Sequence, residues 1–98
     1  MIYVIAELRL KPGTAEKAAA EACKVVASTV KEEGCLAYDF HVSVTDPTRL
    51  VAVERWASRA ALDAHNRTPH LLAWREALKD MLVDRNIQII TPERIDRS

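Results

Sequence analysis

The side chains of this 98-residue sequence that could move a proton are few: three histidines, one carboxylate set in an apolar run, and a small number of aromatic rings around them. Histidine changes charge near neutral pH, so His41, His65 and His70 are candidate general bases or acids. Glu54 interrupts Leu50-Val51-Ala52-Val53 and precedes Arg55-Trp56. A carboxylate in such a run is paired or working, because burying it alone is costly. Its structural alternative is an ion pair with Arg9, Arg49 or Arg55. His65 and His70 have a plain reading as solvated helix-end residues. His65, however, lies just before a chain junction, where a side chain can overhang a sheet. His41 sits mid-strand, and its plain reading is a solvated outer face. If the turn after it uses Thr45 to Thr48, Val44 faces Arg49, His41 faces Ala52 and Asp39 faces Glu54. His41 is then diagonal to Glu54 on one sheet face, a grouping that a one-residue slip destroys.

Other chemistries lack their residues. Only two glycines are present, so there is no phosphate-cradling glycine loop and no nucleophile elbow. Cys23 and Cys35 fit neither a metal-binding spacing nor a disulfide scaffold, and both read as reduced core residues. His65 and His70, five apart across a helix break, would stand roughly 140° apart on a continuous helix. They are not expected to converge on a metal. Fourteen basic and fourteen acidic residues give a formal net charge of +0, which argues against nucleic acid as a partner. No apolar stretch approaches the roughly 18 residues that span a bilayer, and the N-terminus carries no basic segment, so the expected location is cytoplasmic, without membrane.

These residues are positioned by elements that the pattern makes visible. Even positions from Ile2 to Leu10 are all apolar, and Tyr3 and Ile5 add a second apolar face, as in a strand buried partly on both sides. Lys11-Pro12-Gly13 breaks it. Thr14 is placed to cap a helix whose stripe runs Ala15, Ala18, Ala19, Ala22, Val25, Val26, Thr29 and Val30, with Gly34 as its stop. Leu36 to Val44 alternate cleanly, Asp46-Pro47-Thr48 has turn chemistry, and Leu50 to Ala57 return as a second strand. Ser58 and Thr68-Pro69 cap two helical pieces, the second with a stripe Leu71, Trp74, Leu78, Met81 and Leu82. Ile87, Ile89 and Ile90 mark a last strand, ended by Pro92.

The order is strand, helix, strand, strand, helix, strand over one domain, residues 1–98. It predicts an α+β fold of the ferredoxin-like split βαβ kind (βαββαβ), a four-stranded antiparallel sheet with its helices on one face. Tyr3 and Ile5, with either Tyr38 and Phe40 or Leu50 and Trp56, are then left on the other face. A second sheet would cover them.

The blocks Glu33-Gly34-Cys35-Leu36-Ala37-Tyr38, Asp46-Pro47, Glu54-Arg55-Trp56, Ala61-Leu62, Ala64-His65 and Thr68-Pro69-His70 resemble the antibiotic biosynthesis monooxygenase (ABM) domain family. The resemblance implies a homodimer built as a dimeric α+β barrel, with a pocket in each subunit between sheet and helices. It also implies a monooxygenase that oxidises a quinol-like or phenolic substrate with dioxygen and needs no cofactor or metal. A base removes a phenolic proton, the anion passes an electron to dioxygen, and a peroxide forms and collapses with loss of water. On that reading His65, Glu54 and His41 are the catalytic candidates, and Trp56, Tyr38 and Phe40 stack against a flat ring. The haem-degrading members' first-strand Asn has no counterpart here. Two other readings stay open: an isomerase of a small phosphorylated keto sugar, which basic pocket residues would favour, and a non-catalytic dimeric domain that binds a small hydrophobic metabolite.

Overall fold

The computed structural model describes residues 1–98. Strand β1 (Ile2–Leu10) leads to helix α1 (Ala15–Thr29), followed by β2 (Cys35–Val42), β3 (Arg49–Trp56), the short helix α2 (Arg59–His65), helix α3 (Pro69–Leu78) and β4 (Leu82–Ile90). All pairings are antiparallel and the strand order is β2-β3-β1-β4. This is the expected ferredoxin-like α+β sheet, its second helical leg split at residues 66–68. No helix is long and apolar enough to cross a membrane.

The strict alternation of β1 decides which face is buried. Ile2, Val4, Ala6, Leu8 and Leu10 are the buried residues of β1, and all but Ala6 pack in one core with Ala18, Ala22 and Val25 of α1 and Leu71, Trp74 and Leu78 of α3. Ser58 and Thr68 cap α2 and α3 as their types predict, accepting from the Ala61 and Leu71 amides. Thr14 stands at the cap position of α1 but behaves differently: its hydroxyl donates to the Lys11 carbonyl at 2.8 Å and caps no amide.

Three boundaries and one register depart from the sequence reading, the first being β2, which ends at Val42 and not Val44. Met81 and Leu82, placed on the α3 stripe by spacing, instead form the turn and the first residue of β4, because Leu82 pairs with Leu10 and lengthens the edge strand. The β2–β3 hairpin is slipped by one residue: Tyr38 faces Glu54, Phe40 faces Ala52 and His41 faces Val51. Asp46 causes this by taking the Thr48 amide and hydroxyl on its own carboxylate, at 3.0 and 2.6 Å, which lengthens the loop. Tyr38, Phe40, Leu50 and Trp56 therefore all face the helices. The outer face holds Tyr3, Ile5, Val51 and Val53, ringed by Ala37, Asp39, His41 and Arg55.

Candidate functional site

Register lays the floor of a cavity. Ile89, Val4, Glu54 and Tyr38 form one row across the sheet, and Ile87, Ala6, Ala52 and Phe40 form the next. The two adjacent alanines at the centre of the second row leave room that larger residues would fill. Above it stand His65 of α2, Asn66 at its C-cap, and Trp74 and Arg75 of α3, and the cavity volume is about 250 Å³. The wall is mostly apolar. Ile87 and Ile89, on edge strand β4, remain 45% and 43% exposed.

Glu54 is 6% exposed, with no cation against it. It accepts a hydrogen bond from the Trp56 indole, Nε1 to Oε1, at 3.0 Å. The ion pairs considered from sequence do not form: Arg9, Arg49 and Arg55 lie on the other face, where Arg49 meets Glu7. Burial pushes the Glu54 carboxyl up to about 7; the indole bond pulls against this, and the charge of Glu32 adds to it. Glu54 is thus an acid poised to gain or lose a proton near neutral pH inside an apolar cavity.

His65 is 2% exposed and lines the same cavity. Its Nδ1 lies 2.8 Å from Glu32 Oε2, and the His70 Nε2 lies 2.7 Å from the same oxygen. An ionised carboxylate only accepts, so both nitrogens carry the protons. His65 is therefore the Nδ1–H tautomer, its Nε2 lone pair has no protein partner, and the ring is oriented as the base of a catalytic triad is. Burial lowers its pKa, and the Glu32 hydrogen bond and charge oppose that. Trp56 lies tilted against His65 with ring centroids 4.7 Å apart, and Tyr38 meets it edge-on at 5.2 Å.

Glu32 reaches this place from the turn between α1 and β2. Gly34 holds that turn with a φ of +83°, so close to α2 that a Cβ would lie 2.6 Å from the Ala61 Cβ. A residue with a side chain would push the turn away from the helix that carries His65.

Of the candidate site residues, His65, Glu54, Tyr38 and Phe40 share the cavity. His41 does not: the one-residue slip turns it to the exposed outer face, beside Val51. Asp39 goes with it, opposite Val53, and makes no pair with Glu54. Trp56 is fully buried behind His65 and Glu54 and supports them; Trp74, 5.0 Å from Phe40 between ring centroids, is the indole in the wall. His65 and His70 do converge, contrary to the helical-angle argument, because the break between α2 and α3 redirects the second ring. Of the basic residues Arg9, Arg55 and Arg75 that bear on the keto-sugar reading, only Arg75 lines the cavity; sequence reasoning missed Glu32 and Arg85. Burial and the carboxylates of Glu32 and Glu54 push the Cys35 thiol up, away from reactivity.

The profile described as Antibiotic biosynthesis monooxygenase (ABM) matches residues 1–77. The chain is 38% identical over 102 aligned residues to the Escherichia coli (strain K12) protein named Probable quinol monooxygenase YgiN, covering 94% of this chain and 98% of that one. Among solved structures, PA3566 from Pseudomonas aeruginosa is similar with a TM-score of 0.88 at 30% identity, over 95% of this chain and 94% of that chain. Rv0793 from Mycobacterium tuberculosis gives 0.87 at 30% identity, over 99% and 97%.

Proposed function

The chain belongs to the antibiotic biosynthesis monooxygenase family, and from that membership and the chemistry of its cavity we propose that it is a cofactor-independent monooxygenase of a small aromatic quinol-like or phenolic substrate. The observation that carries the reading is the His65 ring, which lines the cavity, is held by Glu32 through Nδ1 and has no protein partner on Nε2, beside a protonatable Glu54 in the same cavity. Substrate lies between the floor rows and Trp74, against Tyr38 and Phe40. His65 Nε2 takes a phenolic proton, and the imidazolium is stabilised by Glu32. The electron-rich anion passes one electron to dioxygen, and recombination of the radical pair forms a carbon–oxygen bond at a ring carbon bearing hydrogen. The Glu54 carboxyl protonates the peroxide. Loss of the remaining C–H proton as the O–O bond breaks leaves a carbonyl, so one oxygen atom stays in the product and the other departs as water. The apolar wall keeps bulk water from the anion.

A second copy laid on Tyr3, Ile5, Val51 and Val53 completes this reading as a homodimer, since an apolar sheet face of this kind calls for a cover. One observation favours a second reading: Arg75 and Arg85 line the cavity, and neither joins a salt bridge. Two free guanidiniums suit a phosphorylated keto sugar, which the same acid and base would isomerise without oxygen. The apolar remainder of the wall weighs towards the aromatic substrate.

The test is oxygen uptake by metal-stripped, flavin-free protein with a panel of reduced quinols and polycyclic phenols. Uptake above the autoxidation blank, falling by about 100-fold or more in His65→Gln and in Glu54→Gln with circular dichroism unchanged, supports the oxygenase. Uptake indifferent to both substitutions, or none on any substrate, sinks it.

A further inference from the structure

Glu32, His65 and His70 come from a turn and two helices, yet their donor atoms all lie within 4.8 Å of one another. Two imidazoles share one carboxylate oxygen, while Glu32 Oε1 takes no hydrogen bond from the protein. The cluster is graded in burial: the His65 side chain is enclosed, Glu32 is largely so, and His70 is a quarter exposed. It is thus reachable from the His70 side. Two imidazoles and a carboxylate are donors that suit zinc and its first-row neighbours, with an open position left for water. Bonds of about 2.0–2.2 Å in a tetrahedral arrangement hold donor atoms roughly 3.3 Å apart. The two contacts to Glu32 are 2.7 and 2.8 Å. Admitting the ion requires that the carboxylate retract by about half an ångström and that the two ring nitrogens, which lie within 4.8 Å of each other, draw in towards the same spacing, movements open to a side chain on a turn and to the partly exposed His70.

The geometry points to a Zn²⁺ site at His65 Nδ1, His70 Nε2 and the Glu32 carboxylate, occupied in exchange for the two N–H bonds. Its consequence for the cavity follows from the valence of a neutral imidazole. With metal on Nδ1, the ring proton sits on Nε2, so the atom that faced the cavity as an acceptor becomes a donor. Zinc is then an inhibitor that acts through the tautomer of His65, and this half of the inference rests on the proposed role of His65 as base. The binding half does not.

Calorimetric titration of untagged full-length protein with zinc chloride, alongside Glu32→Gln and His70→Ala, tests the site. We expect one ion per chain, with affinity falling by more than about 100-fold in His70→Ala, beyond what loss of an outer-shell partner costs. Because His70 is partly exposed, its replacement leaves the fold intact, which circular dichroism verifies. No binding by the parent protein, or equal binding by His70→Ala, overturns the site. Oxygen uptake of the same samples follows. Zinc suppresses turnover of the parent protein and leaves the His70→Ala rate at its own zinc-free value. Stoichiometric binding that leaves parental turnover unchanged overturns the tautomer mechanism while the site stands. Binding in a protein that turns over nothing condemns the oxygenase reading and with it the inhibition.

Discussion

Replacing Glu54 by Gln isolates the effect of one buried carboxyl on folding. The amide keeps the shape and still accepts from the Trp56 indole through its oxygen, but it cannot ionise. In the folded chain burial raises the Glu54 pKa from 4.5 to about 7. Between those values the folded state holds a proton that the unfolded state has released, so stability falls as pH rises. The contribution is fully present below about 4.5 and is lost as pH passes through about 7. A displacement of this size corresponds to roughly 3 kcal/mol, at about 1.4 kcal/mol per pH unit. The other titrating groups are common to both proteins and largely cancel in the difference; the charge of Glu32 is the one that acts on Glu54, and it adds to the upward shift. Urea unfolding at a series of pH values should give Glu54→Gln and the parent equal stability near pH 4. By pH 8.5 the variant should lead by about 3 kcal/mol, a gap in midpoint temperature on the order of 10 °C for a domain of this size. Parallel stability curves across that range would refute both the raised pKa and the poised acid that the proposed mechanism uses.

Gly34→Ala meets the Ala61 side chain and a φ of +83°, so thermal unfolding should show a loss of about 1–3 kcal/mol, and turnover should fall because Glu32 shifts from His65. Thr29 is fully buried with its hydroxyl unpartnered, and Thr29→Val should raise stability by about 1 kcal/mol in the same assay. Ala52→Leu places a large side chain on the cavity floor beside Ala6; KM for any aromatic substrate should rise by about tenfold or more while the fold persists, and an unchanged KM would move the substrate elsewhere. Val53, at 40% exposure in the centre of the outer face, tests the dimer: light scattering should report the parent as twice the chain mass and Val53→Asp as a monomer.

Period-two alternation in β1, β2 and β3 and the Ser58 and Thr68 caps are local signals, and they carried the sheet, its topology and the split second helix. Register is not local. The hairpin depends on a side-chain hydrogen bond inside the Asp46–Thr48 turn, and a slip of one residue sends His41 and Asp39 outward and brings Tyr38 beside Glu54. Glu54 was legible because a carboxylate in an apolar strand breaks a pattern. Glu32 broke none: it is one of two adjacent acidic residues in the turn after α1, and its partners lie 33 and 38 residues away. The only hint was a pair of histidines straddling a capped helix break, and reading it required the angle between α2 and α3. Arg85 was hidden in the same way, within a polar stretch of β4 whose length was set by pairing to β1 and not by its own composition.

Ile87 and Ile89 leave the β4 edge of the cavity floor half bare, so a compound seated in the cavity would bury apolar surface that the chain alone leaves open. A compound that binds the folded chain and not the unfolded one stabilises it by about 2.7 kcal/mol at a concentration 100 times its Kd. For a chain this short each kcal/mol moves the midpoint by roughly 4–8 °C. Occupancy is therefore readable as melting temperature, without turnover, oxygen or any guess at the chemistry. Ranking aromatic compounds by how far they raise that temperature in the parent protein, and by how little in Ala52→Leu, gives a route to the physiological ligand that does not depend on the reaction.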